Sequence, residues 1–226
     1  MELNSNQAAE GQSSPALIKE EDMKKHLIGS CFGLAALAIL MGCGGAVKYP
    51  NYYTLHMQPP DDPLVQEGVH ASLAVREFRS PSYLRQGSIV YKTSPEQIGF
   101  YNYHRWATDP REFVTNAVTE RLRASGNFTQ VKLYDGRSDI DYVLSGRLER
   151  LEEIDYEGGV KVEVAISAQM TSFASGATVW TNSVSEVGAV GRKDVPSVVS
   201  EMNTTMGRAI EKLLTPAPAT VAIKKK

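Results

Sequence analysis

The stretch DYVLSGRLERLEEIDYEGGVKVEVAISAQM, residues 141–170, decides the fold. Tyr142, Leu144, Gly146 and Leu148 alternate with polar neighbours, the period-2 pattern of a strand that buries one face. The alternation slips at Glu149-Arg150-Leu151, which predicts a β-bulge. Glu157-Gly158-Gly159 has the composition of a hairpin turn, and Val160, Val162, Val164, Ile166, Ala168 and Met170 then share one face of a second strand. Ser175-Gly176 makes another turn into 177–187, which carries Trp180. Three successive strands in this order form an antiparallel meander.

Working outward, two helices are signalled at their starts. Asp109-Pro110-Arg111-Glu112 supplies an N-cap acid, a proline at the first helical position and an acid in the first turn. Phe113, Val114, Ala117, Val118 and Leu122 form the apolar stripe that follows, and Gly126 ends it. The second helix starts near Asp194-Val195-Pro196 and lines up Val195, Val198, Val199, Met202, Met206, Ile210 and Leu213 before Pro216. Upstream, the β-prone run 49–55 reads as a first edge strand, Pro59 to Pro63 as a loop, and Val69 to Phe78 as a second strand. The fold class is therefore α/β: a mixed sheet with a long antiparallel meander, covered by two main helices.

The start of the chain carries a different message. Lys24, Lys25 and His26 precede a charge-free apolar run from Leu27 to Leu40, short for a bilayer span and suited to a secretion signal. The run ends in Leu40-Met41-Gly42-Cys43, which resembles the lipobox of bacterial lipoproteins: a branched residue, a tolerant position, a small residue and the cysteine that is lipidated. Cys43 is thus the expected lipid attachment site and mature N-terminus. Residues 23–42 are read as the lipoprotein signal peptide, 43–48 as a tether, 49–214 as the domain and 215–226 as a disordered basic tail. Residues 1–22 are polar and acidic, unlike a signal n-region, and read as a disordered or mis-annotated leader.

Charge and cysteine use limit the function. The chain has 24 basic and 26 acidic side chains, and removal of 1–42 takes away three and five of these, leaving 21 of each. Binding nucleic-acid phosphates needs clustered positive charge, and the sequence shows none outside Lys224 to Lys226, so with a near-zero net charge nucleic acid is not an expected partner. Of the two cysteines, Cys31 leaves with the signal and Cys43 is acylated, so no disulfide and no Cys-based metal site are expected. His56, His70 and His104 lack metal-ligand spacing, and there is no GxSxG elbow. An enzyme, a cofactor and a metal are all unexpected.

One block is distinctive: Pro81-Ser82-Tyr83-Leu84-Arg85, then Ser88 to Tyr91, then Ile98 to Ala107 with His104-Arg105-Trp106 near its end. Together with the YYTL at 52–55 and the DYVLSGRL at 141–148, it resembles the ABC-type transport auxiliary lipoproteins, the PqiC-like family. The resemblance implies a non-enzymatic accessory of an ABC system containing an MCE-domain protein, a permease and an ATPase, moving lipids or other hydrophobic molecules across the envelope. It implies a periplasmic protein held on the membrane through Cys43. With Gly44 rather than Asp after the cysteine, the periplasmic face of the outer membrane is favoured over the inner membrane. A homo-oligomer is admitted but not required, and an envelope-assembly lipoprotein without a transport role is the alternative. Docking surfaces draw their energy from a few aromatic and Arg anchors, so Tyr83, Leu84, Arg85, Arg105 and Trp106 are the candidate partner-binding residues. Trp106 is also the residue of this set best suited to core packing.

Overall fold

A strand of 13 residues, Tyr142–Ile154, is the axis of the fold. The computed structural model describes residues 47–57, 69–136, 139–156 and 158–215. The leader, the signal peptide, Cys43, the Pro59–Pro63 loop, Glu157 of the hairpin and the tail beyond Thr215 lie outside the described residues. Contacts divide the chain into Met1–Lys48, of which only residues 47 and 48 are described, and Tyr49–Lys226.

In chain order the elements are β1 (Asn51–Tyr53), β2 (Val69–Val75), a 3-10 turn (Ser82–Gln86), β3 (Ser88–Ser94), β4 (Gln97–Trp106), α1 (Pro110–Ala124), β5 (Phe128–Leu133), β6 (Tyr142–Ile154), β7 (Lys161–Ser172), β8 (Thr178–Ala189) and α2 (Val195–Leu213). β6, β7 and β8 are the antiparallel meander. On its other side β6 pairs in parallel with two different strands. Its start, Tyr142 to Leu144, meets β2, and its end, Glu153 to Ile154, meets β3. β5 extends the sheet beyond β2, and β4 and β1 extend it beyond β3. The sheet is therefore mixed and has eight strands.

The slip in the alternation is a bulge between Leu148 and Arg150. It changes which residues face inward. Before it, Leu144 and Leu148 point to the core; after it, Leu151 does so, and Glu153 stands in register with the buried Val162. Glu152 and Glu153 are consequently both buried, at 1 % and 2 % exposure, on opposite faces of the strand.

Both helices begin where their acids predict. Asp109 accepts from the Arg111 backbone N–H at 2.9 Å, and Asp194 from the Ser197 N–H at 2.8 Å. Burial pushes the Asp109 carboxyl up, but the hydrogen bonds and charge of Arg111, with the charge of Arg85, outweigh it and hold the group below its usual value. On α2, Val195, Val198, Val199, Met202, Met206, Ile210 and Leu213 are all buried, and so are Val114, Ala117, Val118 and Leu122 on α1. They cover one face of the sheet and share a single core with Leu144, Leu148, Ile166, Met170 and Trp180. Arg121 of α1 and Glu211 of α2 join the two helices through an ion pair at 2.5 Å.

Two features depart from the sequence reading. β5, parallel to β2, falls on a segment to which the sequence reading assigns no element, and the second strand ends at Val75 rather than Phe78. Phe78 nevertheless lies in the core at 1 % exposure. There its ring rests on Gly146, where an added Cβ would overlap three ring atoms. The other face of the meander carries Ser145, Arg147, Ser167, Gln169, Thr181 and Ser183, all half-buried or exposed. No helix covers it.

Candidate functional site

The two segments that supply the candidate anchors meet at one corner. The 3-10 turn ends on Gly87 at φ 76°, a left-handed conformation that glycine adopts without strain. Its carbonyl accepts from the Trp106 N–H at 2.8 Å, and Ser88 stands in register with Arg105. β1 closes the corner from the other side. There Tyr52 pairs with Arg105, and the Ala107 N–H donates to the Tyr53 carbonyl at 2.8 Å.

At this corner the five candidates separate into two kinds. Leu84 is 1 % exposed and Trp106 is 6 % exposed, so both spend their apolar surface on the core. Arg85 and Arg105 are exposed. Tyr83 is half-buried, and its hydroxyl donates toward the Glu149 carbonyl at 3.3 Å and Glu152 at 3.4 Å. Its pKa is pushed up to about 12, first by burial and then by the charge and hydrogen bond of Glu152. Tyr83 thus covers a buried carboxylate rather than presenting itself to solvent. Sequence reasoning did not single out the tyrosines that are exposed here, Tyr49, Tyr52 and Tyr103. An alternation pattern separates buried from exposed positions, but β1 is too short to show one.

Beneath the corner runs a second polar cluster. The Tyr53 hydroxyl bonds His104 Nδ1 at 2.9 Å, and the Tyr101 ring meets the His104 ring edge-on at 5.6 Å. The Tyr101 hydroxyl donates to Glu153 at 2.8 Å. Burial, then the hydrogen bond and charge of Glu153, raise the Tyr101 pKa, so this phenol stays neutral. The same burial holds the Glu153 carboxyl above its ordinary value, opposed by the Tyr101 hydroxyl, reinforced by Asp155 and opposed again by Lys193. With both phenols held protonated, neither is an available general base. Among the described residues no group of three His, Cys, Asp or Glu is placed to hold a metal ion. What the corner presents to the outside is planar Arg donors beside exposed tyrosines.

The state of Glu153 has a measurable consequence. A carboxyl whose folded pKa is raised penalises the folded state above that pKa, and the penalty disappears as pH falls through it. Glu153→Gln keeps an acceptor for Tyr101 and removes the charge. It is expected to melt above the wild type at pH 7, with the gain vanishing as pH falls below about 4, where the carboxyl is protonated in the folded and unfolded chain alike. A lower melting temperature at pH 7 would show that the ionised carboxylate supports the fold.

Comparison with known proteins follows the same outline. A family model described as "ABC-type transport auxiliary lipoprotein component" matches residues 53–213. No curated protein matches the chain. Protein XCC0632 from Xanthomonas campestris, of the DUF330 family, is similar at 14 % identity and a TM-score of 0.65, covering 77 % of this chain and 98 % of its own. A crystal structure of an uncharacterized protein is similar at 16 % identity and a TM-score of 0.59, covering 74 % and 98 %. At these identities the two structures speak for the fold alone.

Proposed function

The chain belongs to the family of ABC-type transport auxiliary lipoprotein components, and from that premise we propose that it is a non-enzymatic envelope accessory that docks onto the other components of a transport system. The family is one of transport components, not of enzymes. The proposed partners are an MCE-domain protein with its ABC permease and ATPase, and the cargo is a lipid or another hydrophobic molecule. The chain is anchored through Cys43, on the periplasmic face of the outer membrane because Gly44 follows the cysteine. The observation that carries the docking mode is the corner, where Arg85, Arg105 and Tyr52 stand exposed on a backbone fixed by the Gly87–Trp106 hydrogen bond.

Affinity purification of the full chain from envelope membranes tests this reading. The wild type is expected to co-purify with a permease, an ATPase and an MCE-domain protein. Arg85→Ala with Arg105→Ala should weaken that co-purification about tenfold or more, since interface arginines are frequent hot spots, each worth about 1 kcal/mol or more. The melting temperature should stay close to that of the wild type, because both side chains lie outside the core. Retention of every partner by the folded double variant would move the interface elsewhere. Co-purification with envelope-assembly proteins alone would replace the transport role by an assembly role.

A further inference from the structure

The uncovered face of the sheet gathers what the sequence scatters. Arg76, Arg79 and Arg147 line one cleft of about 410 Å³, floored by Ser145, Gln169 and Thr181. No linear run of positive charge announces it, because the cleft joins residues about 70 positions apart. It is nevertheless built by the backbone. Arg79 and Arg147 are partners in a parallel bridge. The Arg79 N–H donates to the Gly146 carbonyl at 3.0 Å, and the Leu148 N–H donates to the Arg79 carbonyl at 2.8 Å. Two like charges held side by side across a sheet are destabilising on their own. An anion between them reverses the sign.

The surrounding groups prepare these arginines without neutralising all of them. Arg147 Nε donates to Glu149 at 2.8 Å, and Glu149 also accepts from the Ser167 hydroxyl at 2.9 Å, so the guanidinium is held in place. The Arg76 guanidinium lies 4.6 Å from the centre of the Tyr134 ring. Stacking there restrains its plane and leaves its N–H edge for other acceptors. Arg79 has no ion pair among the described residues. The acid in the lining, Glu77, is turned toward Arg111 at 3.7 Å. Among the described residues the cleft thus gathers three guanidinium groups of which Arg147 alone is ion-paired, to Glu149, over a floor of uncharged hydrogen-bonding side chains.

We propose that this cleft is a binding site for an oxyanion, a phosphate group recognised by the paired forks of Arg79 and Arg147 with Arg76 at its rim. Planar forks match phosphate oxygens two at a time, and a phosphate with two charges compensates what Glu149 leaves over. The group belongs either to a phospholipid headgroup presented on a bilayer or to a phosphate free in solution. The site is separate from the corner of Arg85 and Arg105 and stands or falls without it.

The test uses the full chain with Cys43→Ser, so that no acyl chain reports in place of the cleft. Inorganic phosphate is titrated while the amide resonances of Ser145, Gly146 and Gln169 are followed by NMR. In parallel, the protein is sedimented with phosphatidylcholine vesicles with and without phosphatidylglycerol. Saturable shifts with phosphate, lost in Arg79→Gln with Arg147→Gln, assign a free phosphate. Sedimentation that phosphatidylglycerol increases, with the increase lost in the same variant and no response to free phosphate, assigns a headgroup. Having lost two charge-assisted contacts, the double variant should bind at least about tenfold more weakly. Arg79→Lys with Arg147→Lys keeps the charge and loses the fork, and is expected to bind more weakly than wild type. Arg192→Gln, remote from the cleft, should bind normally. Absence of binding to either probe, or equal binding by the folded Gln or Lys variant, overturns the site.

Discussion

Gly146→Ala is expected to destabilise the domain by about 3 kcal/mol, the upper end of what overpacking costs in a well-packed core. The reason is local. An added Cβ overlaps three atoms of the Phe78 ring, and Phe78, at 1 % exposure, has no open space to retreat into. The backbone cannot yield either, because the Gly146 carbonyl accepts from Arg79 and the strand is paired with β7 throughout. Denaturant titration measures the loss, and a second substitution identifies its source. Phe78→Leu costs stability alone, yet the Gly146→Ala, Phe78→Leu double variant should be more stable than the sum of the two single losses predicts. Strict additivity would mean that the ring and the glycine do not compete for space.

Cys43→Ser is expected to abolish both lipidation and signal processing, leaving an unacylated precursor that still carries the apolar run at 27–40. A single acyl chain holds a protein on a bilayer marginally, whereas two or three, at about 0.8 kcal/mol per buried methylene, hold it effectively permanently. Serine offers no thiol for the first chain, and processing that depends on that chain should stop with it. Membrane fractionation with mass spectrometry of the N-terminal peptide checks both effects. A mature, membrane-bound protein with an unmodified Cys43 would remove the lipoprotein reading and leave the folded domain as described. Among the described residues no helix is long and apolar enough to cross a membrane.

The parts of this fold legible in the sequence are those whose signals are local. Asp109 and Asp194 are N-caps with proline beside them, and both helices start there. The meander declares itself by alternation, and even the bulge shows as a slip at Glu149 to Leu151. β5 was not legible. Its apolar residues keep no period, Phe128 standing three before Val131 and Val131 two before Leu133, and Leu133 is 48 % exposed at the edge of the sheet. Parallel pairing was equally silent, because it joins residues far apart that carry no common turn. The candidate site divides in the same way. Interrupted alternation singles out Tyr83, Leu84, Arg85, Arg105 and Trp106 alike, and only packing separates the exposed Arg85 and Arg105 from the buried Leu84 and Trp106. The arginine cleft, like the burial of Glu152 and Glu153, exists only once the bulge and the parallel bridge have set which face each residue takes.

The two-partner edge of β6 also sets an order of events in folding. The hairpins of β6, β7 and β8 close over short turns, a local event that is fast. The pairings of β6 with β2 and β3 join Leu73 to Tyr142 and Tyr91 to Glu153, long loops whose closure is slow. In a chain that emerges N-terminus first, β2, β3 and β4 appear long before the strand that completes them. Until Tyr142–Ile154 follows, the sides of β2 and β3 that it will occupy are open strand edges, the surfaces on which unfinished sheets aggregate. The nascent first half of this protein is therefore the stage most in need of a chaperone, and truncation before residue 142 should yield insoluble material rather than a smaller domain.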